Sequence, residues 1–164
     1  MDQLNANNEV VKVTKEHKVE EESFQYIVIR LGEEQYGIDI RYVDNIVRMQ
    51  NITRVPKVPA YLKGVINLRG EVIPVVSIRL KMGLTESEHS RTTRIIILKT
   101  ENSGNLGIVV DEVREVVTLK ETNIDRVTRE SRDGRISFIN GIGKHGNELI
   151  SLLELSSITL DENV

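Results

Sequence analysis

The chain has no cysteine, no tryptophan and few aromatic residues, with four Tyr and two Phe among 164 residues. Without cysteine it has no disulfide, no thiolate metal ligand and no cysteine nucleophile, and it fits a reducing compartment better than a secreted scaffold. Its longest apolar runs, such as Ile95 to Leu98, are too short to cross a bilayer. The N-terminal residues also lack the basic and apolar regions of a signal peptide. We therefore expect a cytoplasmic protein without direct membrane insertion.

A strong excess of either charge is also missing, because 22 Lys and Arg are interspersed with 25 Asp and Glu, a net charge of −3. This balance gives neither the basic footprint of a nucleic-acid-binding domain nor a membrane-surface face. Hydrophobic residues make up 39% of the chain, enough for a folded core at this length. Ile and Val alone account for about a quarter of the residues, and β-branched side chains favour strands. The composition therefore predicts an all-β protein.

One pattern occurs twice along the chain. The segments YGIDIRYVDNIV (residues 36–47) and LGIVVDEVREVV (106–117) each run from an apolar residue and a Gly-Ile pair into apolar residues three and four apart. The first part predicts a strand, and the second predicts a short helix with one apolar face. Asp39 is placed to cap the first helix through its side-chain oxygen, and Asp111 lies near the start of the second. The apolar faces contain Ile40, Val43, Ile46 and Val47 in the first helix, and Val113, Val116 and Val117 in the second.

A second pair of similar segments closes each half. GVINLRGEVIPVVSIRL (64–80) and INGIGKHGNELISLLEL (139–155) each predict two strands joined by a Gly-containing turn. In the first segment the turn falls at Leu68-Arg69-Gly70, and Pro74 indicates an edge position or a bulge. We infer two copies of a small barrel-like unit of about five strands plus a helical turn. The predicted organisation is a flexible N-terminal tail (1–22), a first unit (23–82), a linker (83–92), a second unit (93–158) and a C-terminal tail (159–164).

The sequence offers little for catalysis or for a cofactor. GIGKHG (141–146) lacks the Gly-Lys-Ser/Thr run of a phosphate loop and predicts a hairpin turn. The three His are too far apart in the sequence for a paired metal motif. The acidic residues of 111–115 predict a solvated helix face, since nothing apolar is placed to raise the pKa of one of them. No Gly-x-Ser-x-Gly nucleophile elbow is present, although a triad assembled from distant positions stays open. We expect no catalytic residue, no metal and no cofactor.

Two basic features suggest binding. Arg54, Lys57 and Lys63 surround Tyr61, a pattern that a small-barrel nucleic-acid-binding module uses for stacking and phosphate contacts. With so few aromatic residues, a solvated crossing segment is the simpler interpretation. The second feature is Arg69 on the predicted hairpin, whose five fixed donors can clamp carboxylates or carbonyls at a junction. From the side-chain chemistry alone, a surface position in the turn is slightly favoured over a role as a clamp.

The run from YGIDI through ITRVP to KGVINLRGEVIPVVSIRL resembles the CheW family of bacterial chemotaxis coupling proteins. The likeness continues through LGIVVDEV and NGIGKHGNELISLLEL, so that it covers about residues 22–158. It implies two interlocked five-stranded barrels of the Src-homology-3 (SH3)-like type with a hydrophobic core between them. It also implies a non-enzymatic adaptor, monomeric on its own and recruited to membrane-associated receptor arrays. Such an adaptor joins the cytoplasmic tips of methyl-accepting chemoreceptors to the regulatory domain of the histidine kinase CheA and controls kinase activity.

The resemblance also implies particular receptor contacts. In the family an apolar groove between the barrels receives the receptor tip, and Val43 falls on the position that faces it. Ile46 shares that face, one turn further along the predicted helix. Val110 and Val113 are the corresponding candidates in the second half. We expect these four side chains to bind the receptor tip.

Arg69 and Gly70 match the family's NLRG hairpin, in which the arginine pairs with a helix carboxylate. This sequence has Asn45 at the aligned position, so the ion pair is replaced. We expect Arg69 to tie the hairpin to the predicted helix through a neutral bond to Asn45. Asp44, Glu71 and a partner protein are the alternatives for its guanidinium.

Two further alternatives concern the function. Similar couplers act in non-flagellar chemosensory pathways such as twitching motility, and the sequence leaves the pathway open. From other classes, a nucleic-acid-binding module predicts binding that weakens steeply with salt. A small hydrolase predicts turnover that is lost when one particular Asp, Glu or Ser is removed.

Overall fold

The computed structural model describes residues 21–100, 104–128 and 138–158. Within these ranges eleven β-strands form two sheets, accompanied by one four-residue α-helix and three 3-10 helices. The all-β prediction is therefore confirmed. Of the two predicted tails, only Glu21 and Glu22 belong to the described residues.

Six strands form the first sheet: β1 (Ser23–Leu31), β2 (Glu34–Asp39), β8 (Glu112–Lys120), β9 (Ile124–Arg126), β10 (Ile139–His145) and β11 (Glu148–Leu153). They lie side by side in the order β8-β1-β2-β11-β10-β9. Five strands form the second sheet: β3 (Val43–Arg48), β4 (Leu62–Leu68), β5 (Glu71–Ser77), β6 (Arg94–Thr100) and β7 (Gly104–Val110). Their order is β3-β6-β7-β5-β4. The helices are α1 (Ile78–Lys81) and the 3-10 turns η1 (Ile40–Tyr42), η2 (Glu121–Asn123) and η3 (Leu155–Ser157).

The five-stranded sheet is inserted into the six-stranded one. Its strands β3 to β7 are consecutive in the chain, and β1 and β2 precede them while β8 to β11 follow. The chain passes from the first sheet to the second at η1 and returns at Asp111. The predicted linker 83–92 does not separate the sheets, because β5 before it and β6 after it belong to the same sheet. Each sheet thus contains strands from both predicted units, which is the interlocking that the family resemblance implied.

The two predicted helices are wrong, because β3 and β8 are strands with a bulge. Asp44 is an extra residue in β3, since Val43 pairs with Leu98 and Asn45 pairs with the adjacent Ile97. In β8 the extra residue is Arg114. A one-residue bulge places residues three apart on one face, which is also the spacing of a helical turn. The capping prediction is confirmed, because the Asp39 carboxylate accepts a 3.0 Å hydrogen bond from the Arg41 amide at the start of η1.

The repeated Gly-Ile pair marks a close contact in each sheet. Gly37 on β2 and Gly107 on β7 lie where these strands form parallel pairs with β11 and β5, respectively. A Cβ atom at Gly37 would lie 2.8 Å from Leu152 Cδ2, and one at Gly107 would lie 2.9 Å from Ile95 Cγ2. Glycine therefore lets the neighbouring side chains pack directly on the strand backbone. A third contact of this kind, between Gly143 on β10 and Leu119 on β8, helps to close the six-stranded sheet into a barrel.

The predicted hairpins are confirmed. The β4–β5 turn has Arg69 and Gly70 at φ +54° and +85°, and two positive φ values fit the tight turn that matches strand twist. The GIGKHG segment likewise belongs to a hairpin, in which strand β10 ends at His145 and the turn begins at Gly146. Pro74 is on an inner strand, one residue before the parallel pairing of β5 with β7 begins. The bulge expected near it lies in the neighbouring strand, between Leu62 and Gly64.

Four apolar clusters lie among the described residues, and the smallest consists of Leu62, Val76 and Leu106 in the five-stranded sheet. Of the other three, one lies inside the six-stranded sheet and another inside the five-stranded sheet. The largest, which we call the inter-sheet cluster, combines side chains from both sheets and from α1. Its buried members are Ile27, Ile29, Leu31, Tyr36, Ile38, Ile78, Met82, Ile96, Leu98, Ile108, Val110, Leu153 and Ile158. Burial of this apolar surface is the main force that holds the two sheets against each other.

Candidate partner-binding surface

The edge strands β3 and β8 border the inter-sheet cluster. Val43 on β3 and Val113 on β8 are partly buried and pack against this cluster from the two different sheets. The 3-10 turn η1 contacts both β1 and β6, which are the neighbours of β8 and β3. The turn η1 thus lies beside the strand next to each of the two edge strands. We name the four side chains Val43, Ile46, Val113 and Val116 the inter-sheet margin.

The bulges orient the margin. In β3, Val43 lies opposite Leu98 and Ile46 lies opposite Ile96, and both of these partners belong to the inter-sheet cluster. Residues directly opposite each other in an antiparallel pair lie on the same face. Val43 and Ile46 therefore share the cluster side of β3, as expected, although they lie on a strand and not on a helix.

The same arrangement occurs in β8. Val113 lies opposite Ile29, and Val116 lies opposite Ile27, which are again members of the inter-sheet cluster. Val116 was not among the receptor candidates predicted from the sequence. The repeated sequence could have identified Val116 as a candidate, since aligning YVDNIV (42–47) with EVREVV (112–117) pairs Ile46 with Val116.

The margin exposes apolar surface to solvent. Ile46 is 37% exposed and Val116 is 52% exposed, although both lie on the cluster side of their strands. Val110, the remaining predicted receptor contact, is fully buried in the inter-sheet cluster, so it offers no surface to a partner in this conformation. The margin is thus a partly uncovered border of a hydrophobic core, suited to an apolar partner surface.

Arg69 is presented at the tip of the β4–β5 hairpin. Within the described ranges it forms no hydrogen bond or ion pair with Asn45, Asp44 or Glu71. Because Asp44 is bulged, Asn45 lies opposite Ile97 and faces the interior of the five-stranded sheet. The Asn45 amide oxygen accepts a 2.8 Å hydrogen bond from the backbone of the next residue. Among the described residues, therefore, the expected tie between Arg69 and this segment is not formed.

The first crossing between the sheets carries an ion pair and aromatic contacts. The Asp39 carboxylate accepts hydrogen bonds from the Arg41 guanidinium, the shortest at 2.7 Å. Burial opposes ionisation of Asp39, but the bonds from Arg41 outweigh it and hold the pKa of this carboxyl below its usual value. The same guanidinium lies 5.7 Å from the centre of the Tyr42 ring and 5.9 Å from that of Phe24. These contacts fix η1 beside β1.

The second crossing is held by Asp111. Its carboxylate accepts a 3.1 Å bond from Arg79 Nε, a second bond from Arg79 Nη2 and a 2.7 Å bond from the backbone of Gly32. Burial opposes ionisation here too, yet the bonds from Arg79 and Gly32 outweigh it and hold the pKa of Asp111 below its usual value. Both sheet crossings therefore carry an ionised Asp paired with an Arg.

In the basic segment considered for nucleic-acid binding, Lys63 is engaged in an ion pair and the Tyr61 ring is covered on one face. A cleft of about 410 Å³ is lined by Arg54, Val55, Pro56, Val58, Pro59, Ala60, Leu62 and Lys63. Lys63 forms an ion pair with Glu86, and the Lys81 ammonium lies 4.0 Å from the centre of the Tyr61 ring. Because this lysine covers one face of Tyr61, that face cannot stack on a base. The arrangement argues against the nucleic-acid alternative.

Among residues 21–100, 104–128 and 138–158, no three His, Asp or Glu side chains lie together in a group suited to a metal ion. In the same ranges no helix has the length and apolar character required to span a membrane.

The chain is similar to chemotaxis proteins over most of its length. The family model of the CheW-like domain matches residues 25–162. The chemotaxis protein CheW of Helicobacter pylori is 36% identical over 138 residues, which cover 84% of this chain and 82% of that protein. CheW of Bacillus subtilis is 34% identical over 80% of this chain and 84% of the relative. The crystal structure of the scaffolding protein TtCheW from Thermoanaerobacter tengcongensis superposes with a TM-score of 0.73 at 32% identity, covering 81% of this chain and 90% of TtCheW.

Proposed function

This chain belongs to the CheW-like family and is a chemotaxis adaptor, and on that premise we propose that the inter-sheet margin is its receptor-binding surface. In this role the margin binds the cytoplasmic tip of a methyl-accepting chemoreceptor. Another surface, which includes the Arg69 hairpin, contacts the regulatory domain of the histidine kinase CheA. The chain then holds receptor and kinase in one geometry without a catalytic step, as a monomer in the cytoplasm that is recruited to receptor arrays.

The observation that carries the proposal is the pair of exposed side chains Ile46 and Val116. They occupy equivalent positions of the two repeats, on edge strands that border one hydrophobic cluster. Burying an exposed Ile or Val contributes about 1.5–3 kcal/mol. Since the four side chains are already partly buried, they contribute a few kcal/mol together, and other contacts of the interface supply the rest of a micromolar affinity of about −8 kcal/mol.

Signal transmission through such an adaptor requires a difference in contacts. A partner shifts an equilibrium only by its different affinity for the two states. In the proposed mechanism the receptor tip contacts the margin differently in its two signalling states. The margin has side chains on strands of both sheets. A change in the receptor tip therefore alters the position of one sheet relative to the other, and with it the surface that contacts CheA.

The test is titration calorimetry of the full chain against a soluble receptor-tip fragment and, separately, against the CheA regulatory domain. We expect saturable one-to-one binding of wild type to both. Ile46→Arg should abolish binding of the tip and keep binding of the kinase domain. Val72→Arg serves as the matched control for the tip, since Val72 is 63% exposed on β5, away from the margin. Full retention of tip binding by Ile46→Arg would contradict the proposed surface, and a folded wild type that binds neither partner would contradict the proposed role.

A further inference from the structure

We propose that Arg79 and Asp111 form a latch that fixes the two sheets relative to each other and so positions the receptor-binding margin, an inference that rests on the proposed function. Neither residue belongs to the margin. Both are positioning residues, which act on Val113 and Val116 through the course of strand β8.

Asp111 occupies the return crossing between the sheets. It is the single residue between Val110, which ends β7 in the five-stranded sheet, and Glu112, which begins β8 in the six-stranded sheet. Val113 follows two residues later. Any rotation of the backbone at Asp111 therefore changes the direction in which β8 leaves the crossing, and with it the position of the margin.

The carboxylate of Asp111 joins segments from both sheets. Arg79, which forms two bonds to it, is on α1, and α1 directly follows β5 of the five-stranded sheet. Gly32, which donates a 2.7 Å bond to it, is in the β1–β2 turn of the six-stranded sheet. The paired geometry between a guanidinium and a carboxylate defines direction as well as distance. One side chain thus fixes three segments at one point.

The backbone of Asp111 adds two more bonds. Its amide donates to the Arg30 carbonyl oxygen of β1 at 3.1 Å, and its carbonyl oxygen accepts from the Thr92 hydroxyl at 2.8 Å. Arg79 also donates to the Thr85 carbonyl oxygen at 2.9 Å. The segment 83–92 between β5 and β6 is therefore part of the same hydrogen-bond network and helps to hold Arg79 and Asp111 in place.

The other crossing is held differently. At η1, Asp39 bonds to Arg41 only two residues away, so that its carboxylate organises a local turn. The second crossing, in contrast, connects residues that are 32 and 79 positions apart in the chain. Asp111 is therefore the crossing at which a single substitution removes contacts to both sheets.

The test uses the absence of cysteine, which lets two introduced cysteines carry spin labels without any background site. Lys99→Cys on β6 and Lys144→Cys on β10 place one label on each sheet, and both positions are exposed. We measure the distance between the labels by pulsed electron paramagnetic resonance in the full chain. Asp111→Asn should shift or broaden the distance distribution and weaken binding of the receptor tip about tenfold. Glu121→Gln is the matched control, because the Glu121–Arg126 ion pair lies wholly on the six-stranded sheet side, and it should change neither quantity.

An unchanged distance distribution in Asp111→Asn would overturn the latch, whatever happens to binding. A changed distribution with unchanged tip affinity would overturn the positioning role. If Asp111→Asn does not fold, Arg79→Lys keeps the cation but loses the paired bonds, and the same two outcomes decide. Failure of wild type to bind the tip would contradict the proposed function, and the label distances would still decide whether the latch exists.

Discussion

Ile46 and Val116 occupy equivalent positions on the two edge strands, each two residues after a one-residue bulge and each opposite an isoleucine of the inter-sheet cluster. The bulge residues are Asp44 and Arg114. A single exposed apolar side chain is common on a protein surface, but here two of them occupy equivalent positions of the repeat. Together they mark the two edge strands on which we propose one apolar margin, and this proposal has consequences that can be measured.

Truncation of the margin should weaken receptor binding without harming the fold. Ile46→Ala and Val116→Ala each remove apolar area that we propose is buried only in the complex. We expect each to weaken binding of the receptor tip about tenfold, which corresponds to about 1.4 kcal/mol. The double variant should show the sum of the two losses, because the side chains lie on different sheets.

The control for these truncations is Leu149→Ala, since Leu149 is exposed to a similar degree but lies on β11. Calorimetry gives the affinities, and urea unfolding should show losses of about 1 kcal/mol or less for exposed side chains. Equal weakening by Leu149→Ala would mean that the tip does not distinguish the margin from other apolar surface.

Replacing Arg69 should separate stability from binding. Its φ of +54° is a backbone conformation that favours Asn or Gly. Arg69→Asn should therefore stabilise the fold by up to about 1 kcal/mol, because Asn adopts the left-handed region more readily than Arg. If the guanidinium faces the kinase domain, as we propose, the same substitution should weaken that binding.

Lys57→Asn provides the comparison, because Lys57 also has a positive φ, of +60°, in the crossing segment. We expect it to stabilise the fold and leave kinase binding intact. Thermal unfolding and titration with the CheA regulatory domain measure the two effects. A stabilised Arg69→Asn variant with wild-type kinase affinity would remove Arg69 from the proposed interface.

The contribution of Asp111 to stability should disappear in acid. Its folded pKa is lowered from the ordinary value of 3.8, so the folded state binds the proton less readily than the unfolded state. The stabilisation is therefore complete above the unfolded pKa and is lost as the pH falls through the folded pKa. Arg79 and Arg30 are the charged groups that keep this carboxyl ionised.

We expect Asp111→Asn to be less stable than wild type at about pH 6, with the difference shrinking towards about pH 3. Urea unfolding across this range measures it. Asp125→Asn, at an exposed position of β9, removes the same charge without these hydrogen bonds and serves as the control. A difference between wild type and Asp111→Asn that grows in acid would contradict the assignment.

Closure of the six-stranded barrel should depend on Gly143. A Cβ atom at this position would overlap Leu119 Cδ1 of β8, and overpacking of this kind costs about 1–3 kcal/mol. We expect Gly143→Ala to lower stability by this amount in urea unfolding. Lys144→Ala, at the exposed neighbouring position, should have little effect, and equal stability of the two variants would show that Leu119 moves aside at no cost.

The local features of the fold could be predicted from the sequence. The excess of Ile and Val indicated strands, and the Gly-containing turns located the hairpins whose turns include Gly70 and Gly146. The two helices could not be excluded, because a bulged strand and a helical turn both place apolar residues three apart. Only the pairing with β6 and β1 distinguishes them.

Long-range pairing explains the remaining differences. The parallel pairs β2·β11 and β5·β7 connect strands that no local pattern relates, so a division of the chain at 83–92 seemed natural. The candidate surface was likewise found in part. Val43 and Ile46 could be named from the resemblance, whereas the burial of Val110 and the exposure of Val116 depend on which strand lies at a sheet edge.

The insertion of one sheet within the other also sets the order in which the molecule can form during synthesis. Tyr36 on β2 pairs with Ser151 on β11, and after Tyr36 the ribosome must add 115 residues, the last of them Ser151, before that contact can exist. At about 5–20 residues per second this takes roughly 6–23 seconds. The five-stranded sheet can complete first, since all its strands lie between 43 and 110. The sheet that starts at the N-terminal side is thus the last to be finished, and until then the growing chain carries an unpaired edge of β2.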